Sequence, residues 1–209
     1  MSAPEHPQIY LITPPHFEIA RFSTDLAAAL DAVEVAAVRL SLTSHDQDTV
    51  TRAADACRNV TEARDVALVI DTHVALAEML GLDGVHLNQP QTRAVREARK
   101  RLGPDAVVGV HAGQSRHEGL SAGESGADYV CFGPIGVSAL GDGAQAGPEL
   151  FAWWSEMIEL PIVAEGAVDL ANIALLRDKT DFFALGSEVW ASESPVNTLT
   201  TLAAAIQDR

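Results

Sequence analysis

The chain has 209 residues, of which 47% are hydrophobic and only 5% aromatic, and it carries a formal net charge of −15. A chain of this length is expected to fold as one domain, residues 1–209, around a core rich in Ala, Leu and Val. The negative charge argues against a nucleic-acid partner, because its phosphates would be repelled. Every apolar stretch is shorter than the roughly 20 residues of a membrane span, so we expect no membrane association.

Short apolar runs alternate with helical segments along the chain, a pattern typical of a parallel sheet. The predicted strands, in chain order, are 8–13, 35–42, 66–70, 84–87, 106–110, 127–132, 160–164 and 181–185. The predicted helices are 17–32, 46–63, 74–80, 92–102, 115–125, 150–158, 169–177 and 195–207. Eight strands alternating with eight helices predict a single (β/α)8 TIM barrel of the α/β class. A doubly wound sheet is the alternative, although it seldom has eight repeats joined by such short connections.

The loop after the sixth strand is unusually long. It reads GPIGVSALGDGAQAGPE and is rich in Gly and Ala. Loops of this length inside a compact domain are usually functional or mobile. The sequence leaves open whether residues 134–147 close over a ligand.

The cysteines and the N-terminus bear on the cellular compartment. Cys57 and Cys131 have neither the spacing of a metal site nor that of a disulfide framework. The first residues, MSAPEHPQ, lack the basic segment and apolar run of a signal peptide. Both features favour a reducing, cytoplasmic location.

Polar side chains occur where the predicted strands end, which is where a barrel of this class builds its active site. Arg39 and Glu165 are the most informative, because a charge within an apolar strand must be paired or face a polar cavity. We therefore predict that these two side chains pair or share one ligand. The full set of candidates is Arg39, Asp71, His86, Gln89, His111, His117, Glu165, Gly166, Gly186 and Ser187.

Several of these candidates also have a purely structural interpretation. His117 opens a predicted helix and could be exposed, and His86 could be a hydrogen-bonded core histidine. Donors from four strand ends, among them Asp71 and His111, could together accept a divalent metal. Their spacing along the chain does not form a compact metal-binding motif. We therefore favour a hydrogen-bonded polar cluster and predict no metal ligands. Backbone N–H groups at Gly186-Ser187 could face an anion.

Four segments follow one another along the chain: Tyr10-Leu-Ile-Thr13, IDTHVALAEMLGLDGVHLNQP, GADYVCFGP and LPIVAEGAVDLANI. Together they resemble the thiamine-phosphate synthase and thiazole tautomerase superfamily, from residue 8 to residue 190. The resemblance implies a single barrel, usually a homodimer, with its site at the carboxyl ends of the strands. It also implies a small-molecule substrate, either a thiazole phosphate or a pyrimidine phosphate.

The synthases of this superfamily join a pyrimidine diphosphate to a thiazole phosphate and release pyrophosphate with the help of magnesium. The resemblance places their Gln-x-Arg-x-Lys motif at Arg39, Ser41 and Thr43, and their two magnesium carboxylates at Thr72 and Gln91. Their Thr-x-Thr-Lys loop falls on residues 138–141, again without a lysine. The groups that hold magnesium and pyrophosphate are therefore largely replaced. We expect neither a bound magnesium cofactor nor efficient synthase turnover.

Three functions remain open at this point. The first is thiamine biosynthesis or salvage by a synthase-like protein with altered or weak activity. The second is tautomerase-like proton transfer, with His111 or His117 as the acid–base group beside Glu165 or Asp71. The third is a non-catalytic barrel that keeps a ligand pocket. The retained glycines after the seventh and eighth strands favour phosphate binding, whereas the loss of cations favours the third function.

Overall fold

The computed structural model describes residues 6–44, 46–137 and 144–208. Eight parallel strands form a closed barrel in chain order, with β8 paired to β1. The strands are β1 Gln8–Ile12, β2 Ala37–Leu40, β3 Ala67–Asp71, β4 Gly84–Leu87, β5 Val107–His111, β6 Tyr129–Phe132, β7 Ile162–Glu165 and β8 Phe182–Leu185. The helices are α1 Ile19–Ala32, α2 Gln47–Glu62, α3 Val74–Leu80, α4 Thr92–Leu102, α5 Arg116–Glu124, α6 Pro148–Met157, α7 Leu170–Leu176, α8 Ser187–Trp190 and α9 Pro195–Gln207. The predicted (β/α)8 barrel is confirmed.

The differences from the predicted elements lie at their ends and at one short helix. The sixth strand was predicted from residue 127, but it begins at Tyr129 because the preceding Asp128 turns its carboxylate onto the backbone N–H of Val108. Helix α6 begins at Pro148, earlier than predicted, with proline in the first turn, where its missing N–H is harmless. Helix α8 was missed because four residues are too few to show helical periodicity. Residues 138–143 of the long loop lie outside the described residues.

Alternate residues of each strand face two different cores. The outward-facing side chains, such as Val38, Val85 and Val130, belong to the large apolar cluster shared with the helices. The inward-facing side chains form a smaller cluster inside the barrel that contains Tyr10, Val69, Tyr129, Cys131, Val163 and Ala184. Burial on both faces explains why the strands read as nearly continuous apolar runs. Among the described helices, none combines the length and apolarity that crossing a membrane requires.

A pair of tyrosines lies inside the barrel, beneath its carboxyl-terminal mouth. The hydroxyl groups of Tyr10 and Tyr129 are 2.7 Å apart, and their rings meet edge to face. Gly109 on the neighbouring strand makes room for Tyr129, because a Cβ there would lie 1.9 Å from the tyrosine Cζ. The inward positions nearer the mouth are polar and include Arg39, His86 and Glu165. The change from apolar to polar along the inward positions places the candidate site at the carboxyl ends of the strands.

Candidate active site

A buried ion pair spans the barrel mouth. Arg39 donates from Nη1 and Nη2 to the two carboxylate oxygens of Glu165, at 2.9 and 2.8 Å. The arginine side chain is only 6% exposed and the glutamate side chain 18%. Because β2 and β7 are not adjacent in the barrel, this pair joins two separate parts of the wall. The predicted pairing of Arg39 with Glu165 is confirmed.

A second carboxylate faces the same guanidinium. The Nε of Arg39 lies 3.3 Å from Oδ1 of Asp71, and Ser41 donates its hydroxyl to Oδ2 at 2.6 Å. Burial raises the pKa of Asp71 even though Arg39 and Ser41 favour its charged form. Burial also acts to raise the pKa of Glu165, but Arg39 outweighs it and holds that pKa far below its usual range. One cation thus serves two carboxylates, and this part of the mouth carries excess negative charge.

His86 lies at the centre of the barrel and is fully buried. Its Nδ1 is 3.0 Å from the hydroxyl of Tyr129, which continues the hydrogen-bonded chain to Tyr10. Burial, aided by the positive charge of Arg39, lowers the pKa of His86 well below its ordinary value, so the imidazole is neutral. One ring nitrogen is therefore structural, as the core interpretation predicted, while the other remains available.

Unpartnered polar atoms accumulate at this mouth. Within the described residues, four buried atoms from these strands have no hydrogen-bond partner: Arg39 Nε, Asp71 Oδ1, His86 Nε2 and His111 Nδ1. The first two face each other at 3.3 Å, whereas no such neighbour satisfies the two histidine nitrogens. Buried polar groups are nearly always satisfied in folded proteins. These atoms make the mouth a candidate place for a ligand, an ion or ordered water.

The turns after β7 and β8 carry a further acidic residue that the sequence analysis missed. Glu188, in the short helix α8, is half-buried, and burial raises its pKa. Interactions with the backbone amides of Val168, Gly186 and Glu188 itself oppose that rise. In barrels of this class, backbone amides of the loops after the last two strands commonly hold a phosphate. Here Glu188 adds a negative charge close to these turns, and its Oε1 has no hydrogen-bond partner within the described residues.

Other predicted residues lie outside this cluster. His117 is exposed in the first turn of α5, and Ser187 is exposed at the start of α8. Gln89 is exposed, and its side chain accepts a hydrogen bond from Gln91 at 2.8 Å. Gly166 follows Glu165 with φ of +87°, a conformation that favours glycine and turns the chain at the mouth. Gly186 is buried at the end of β8.

Two residues of the site were absent from the predictions although the strand pattern points to them. Tyr129 and Cys131 alternate on β6 with outward-facing apolar residues. Because successive side chains of a strand point to opposite faces, both must point into the barrel. Two non-glycine residues with positive φ also lie at the mouth, Thr72 at +56° and Ala167 at +57°. Such strained backbone is typical of functional sites and has no sequence signal of its own.

The residues at the mouth do not fit the magnesium that the resemblance implies. Mg²⁺ prefers octahedral oxygen ligands with carboxylates among them. The two matching positions, Thr72 and Gln91, both lack a carboxylate. Thr72 donates its hydroxyl to the backbone carbonyl of Asp71, and the amide of Gln91 bonds to Gln89. The replacement of the magnesium ligands stays a prediction.

The closed parallel barrel defines a (β/α)8 protein, and the polar side chains that converge at its carboxyl-terminal mouth form its candidate site. The thiamine phosphate pyrophosphorylase from Pyrococcus furiosus has the same fold, with a TM-score of 0.83, 22% identity and 96% of each chain covered. An orotidine 5′-phosphate decarboxylase from Pyrococcus horikoshii also shares the fold, with a TM-score of 0.70, 12% identity, and 96% of this chain and 100% of the other covered.

Sequence comparison narrows the class to one family. The thiamine monophosphate synthase family matches residues 9–189. The thiamine-phosphate synthase of Rhodospirillum centenum is 43% identical over 187 residues, which cover 88% of this chain and 89% of the relative. That of Erythrobacter litoralis is 38% identical over 192 residues, with 89% of each chain covered. The chain therefore belongs to the thiamine monophosphate synthase family.

The ion-pair network predicts a specific stability pattern. Arg39→Met leaves two buried carboxylates without their cation and is expected to lower the free energy of unfolding by about 3 kcal/mol. Arg39→Met combined with Glu165→Leu should recover part of this loss, because one uncompensated charge is removed with it. Chemical denaturation of the three proteins measures both effects.

The matched control is the exposed pair Arg93–Glu97, whose Nε–Oε1 distance of 2.7 Å is as short as those at the mouth. Arg93→Met should leave the midpoint of unfolding unchanged, since solvent screens this pair. Equal effects of Arg39→Met and Arg93→Met would contradict a structural role for the buried network.

Proposed function

We propose that this member of the thiamine monophosphate synthase family binds a small molecule of thiamine biosynthesis or salvage, but has weak or no magnesium-dependent synthase activity. The observation that carries the proposal is the bidentate pairing of Arg39 with Glu165, with Asp71 on the remaining side of the guanidinium. The principal cation at the mouth is thereby neutralised by the protein's own side chains.

The synthase reaction releases pyrophosphate from the pyrimidine diphosphate, and this leaving group must be surrounded by positive charge. Enzymes supply it with metal ions, Arg, Lys and backbone amides, and each contact in a desolvated site is typically worth a few kcal/mol. At this mouth Arg39 is paired with Glu165, neither magnesium position carries a carboxylate, and Glu188 adds a negative charge close to the turns after β7 and β8. A diphosphate would therefore meet repulsion from three carboxylates rather than stabilisation.

The names of the relatives support a thiazole or pyrimidine phosphate as the ligand class, since these are the substrates of thiamine-phosphate synthases. The charge at the mouth favours the ligand with fewer phosphates, which is the thiazole phosphate.

We also propose that the protein is cytoplasmic and forms a homodimer. Two buried free cysteines, Cys57 and Cys131, support a reducing compartment.

A side-by-side synthase assay tests this proposal. The purified protein is supplied with the pyrimidine diphosphate, the thiazole phosphate and Mg²⁺, and thiamine phosphate is quantified by chromatography. We expect turnover at least about a thousandfold slower than that of the Pyrococcus furiosus relative in the same assay at the same temperature. We expect thiazole phosphate to raise the melting temperature of the protein in the absence of Mg²⁺. This result would show that the protein is folded and binds the ligand. Turnover at the pace of the relative would refute the proposal.

A second candidate function is proton transfer on the bound thiazole phosphate. His111, at the end of β5, is partly buried, and its Nδ1 has no hydrogen-bond partner among the described residues. Its Cα is paired in register with that of Cys131, next to the site that Glu165 and His86 share. An imidazole in this position can take a proton from one ligand atom and return it to another.

Two histidine variants separate this function from simple binding. Exchange of solvent deuterium into thiazole phosphate, followed by NMR, should fall at least about a hundredfold in His111→Gln, since the acid–base group is lost. His117→Gln is the matched control and should exchange at the wild-type rate, because that side chain is exposed on α5. The absence of exchange in the wild-type protein, or an equal loss in both variants, would rule out His111 as the proton carrier.

A further inference from the structure

Three strands bring a cluster of unlike donors together inside the barrel. His86 on β4, Cys131 on β6 and Glu165 on β7 each offer one atom, and these atoms all lie within 4.8 Å of one another. We refer to these residues as the His-Cys-Glu cluster. Neither the synthase nor the proton-transfer function uses the thiol or the free nitrogen of His86.

We propose that the His-Cys-Glu cluster binds one Zn²⁺ ion, with three protein ligands and a fourth position open to the mouth. Nitrogen, sulfur and carboxylate oxygen are the donors that zinc takes in proteins, and three protein ligands with one open position are typical of its reactive sites. The three ligands differ from the magnesium positions, which fall at Thr72 and Gln91.

The free nitrogen of His86 is the first independent support. Its Nε2 is buried and has no hydrogen-bond partner within the described residues. Its other nitrogen, Nδ1, lies 3.0 Å from the Tyr129 hydroxyl. A histidine that binds a metal generally has its second nitrogen fixed by such a partner, which sets the tautomer and the ring orientation. His86 therefore already has the supported arrangement of a metal ligand.

The surroundings of Glu165 are equally suited to a metal ligand. Carboxylates that bind metals are themselves hydrogen-bonded, and Arg39 holds both oxygens of Glu165 in place. The Cys131 thiol also hydrogen-bonds to Glu165, so the ion would take the place of the thiol proton between these two side chains while Arg39 remains paired. The glutamate side chain is 18% exposed, so an ion can reach the cluster from the mouth.

The charges also agree with a dication. Asp71 and Glu165 exceed the single charge of Arg39, so the metal-free network is already negative. Zinc binding displaces the proton of the Cys131 thiol, and the resulting thiolate adds one more negative charge. The two positive charges of zinc then leave the group formed by Asp71, Glu165, Arg39 and Cys131 neutral.

The required movement is small. Zinc bonds of about 2.0 to 2.3 Å place tetrahedral ligand atoms about 3 to 4 Å apart. Atoms within 4.8 Å of one another reach this spacing by contraction of about 1 Å, which is within the range of side-chain rotation. The barrel backbone can stay in place.

Cobalt provides the direct test, because Co²⁺ occupies zinc sites and its thiolate bond absorbs in the near ultraviolet. The full chain is stripped with a chelator, dialysed and titrated with Co²⁺. We expect a thiolate-to-cobalt band that saturates at one equivalent and disappears when Zn²⁺ is added. Cys131→Ala should lose the band, whereas Cys57→Ala is the matched control and should keep it. Cys57 is buried in α2, within the outer core.

Two further measurements keep the test decisive if Cys131→Ala does not fold. X-ray absorption of the zinc-loaded wild-type protein should show one sulfur at about 2.3 Å. Tyr129→Phe, which removes the hydroxyl that contacts both His86 and Tyr10, should weaken zinc binding by about tenfold to a hundredfold. A folded wild-type protein with no thiolate band, a band that persists in Cys131→Ala, or zinc without a sulfur ligand would overturn the proposal. None of these readouts depends on synthase activity, so the zinc site and the proposed function can fail separately.

Discussion

A single guanidinium placed between two carboxylates determines the chemistry of this barrel mouth. Arg39 is nearly buried, so its charge requires compensation from within the protein, and Glu165 provides it with two short hydrogen bonds from across the barrel. Asp71 lies on the remaining side and makes the network negative overall. Because a buried cation that is already paired is a poor receptor for another anion, the interaction that stabilises the mouth also limits what it can bind.

The consequences extend to the rest of the site. A neutral His86 is favoured where a positive charge is close and solvent is excluded. Glu188 lies close to the turns after β7 and β8, so the second region in which this fold commonly holds phosphate is also acidic. The family fold is thus retained, and we propose that the electrostatic character of its mouth disfavours the family's reaction. A fold of this kind supports many chemistries, and the side chains at its mouth decide among them.

Much of this arrangement can be predicted from the sequence, because it follows from local pattern. Alternating apolar runs and helical segments predict the eight-stranded barrel, and strand parity places Arg39 and Asp71 at the inward mouth. The pairing of Arg39 with Glu165 follows from the cost of an unpaired buried charge, even though the two residues lie 126 positions apart. Residues 138–141, which the resemblance sets against the lysine-bearing loop of the synthases, lie outside the described residues and stay a prediction.

Other features could not be predicted, since they depend on distances between strands that are remote in sequence. The tyrosine pair beneath His86 requires both the closure of the barrel and the space left by Gly109. The approach of Cys131 to His86 and Glu165 combines three strands without any shared motif. His117 follows closely after β5 in the sequence. In the structure its side chain is exposed, because helix α5 begins just before it and carries it away from the mouth.

The most direct test of the account is whether the mouth receives a diphosphate. Isothermal titration of the purified protein with pyrophosphate in the presence of Mg²⁺ reports binding without requiring any reaction. The account predicts no saturable binding below about 1 mM, because Arg39 is already paired and the remaining charge is negative. Magnesium-dependent binding at micromolar concentration, abolished by Arg39→Met, would show that Arg39 is free to receive anions and would contradict it.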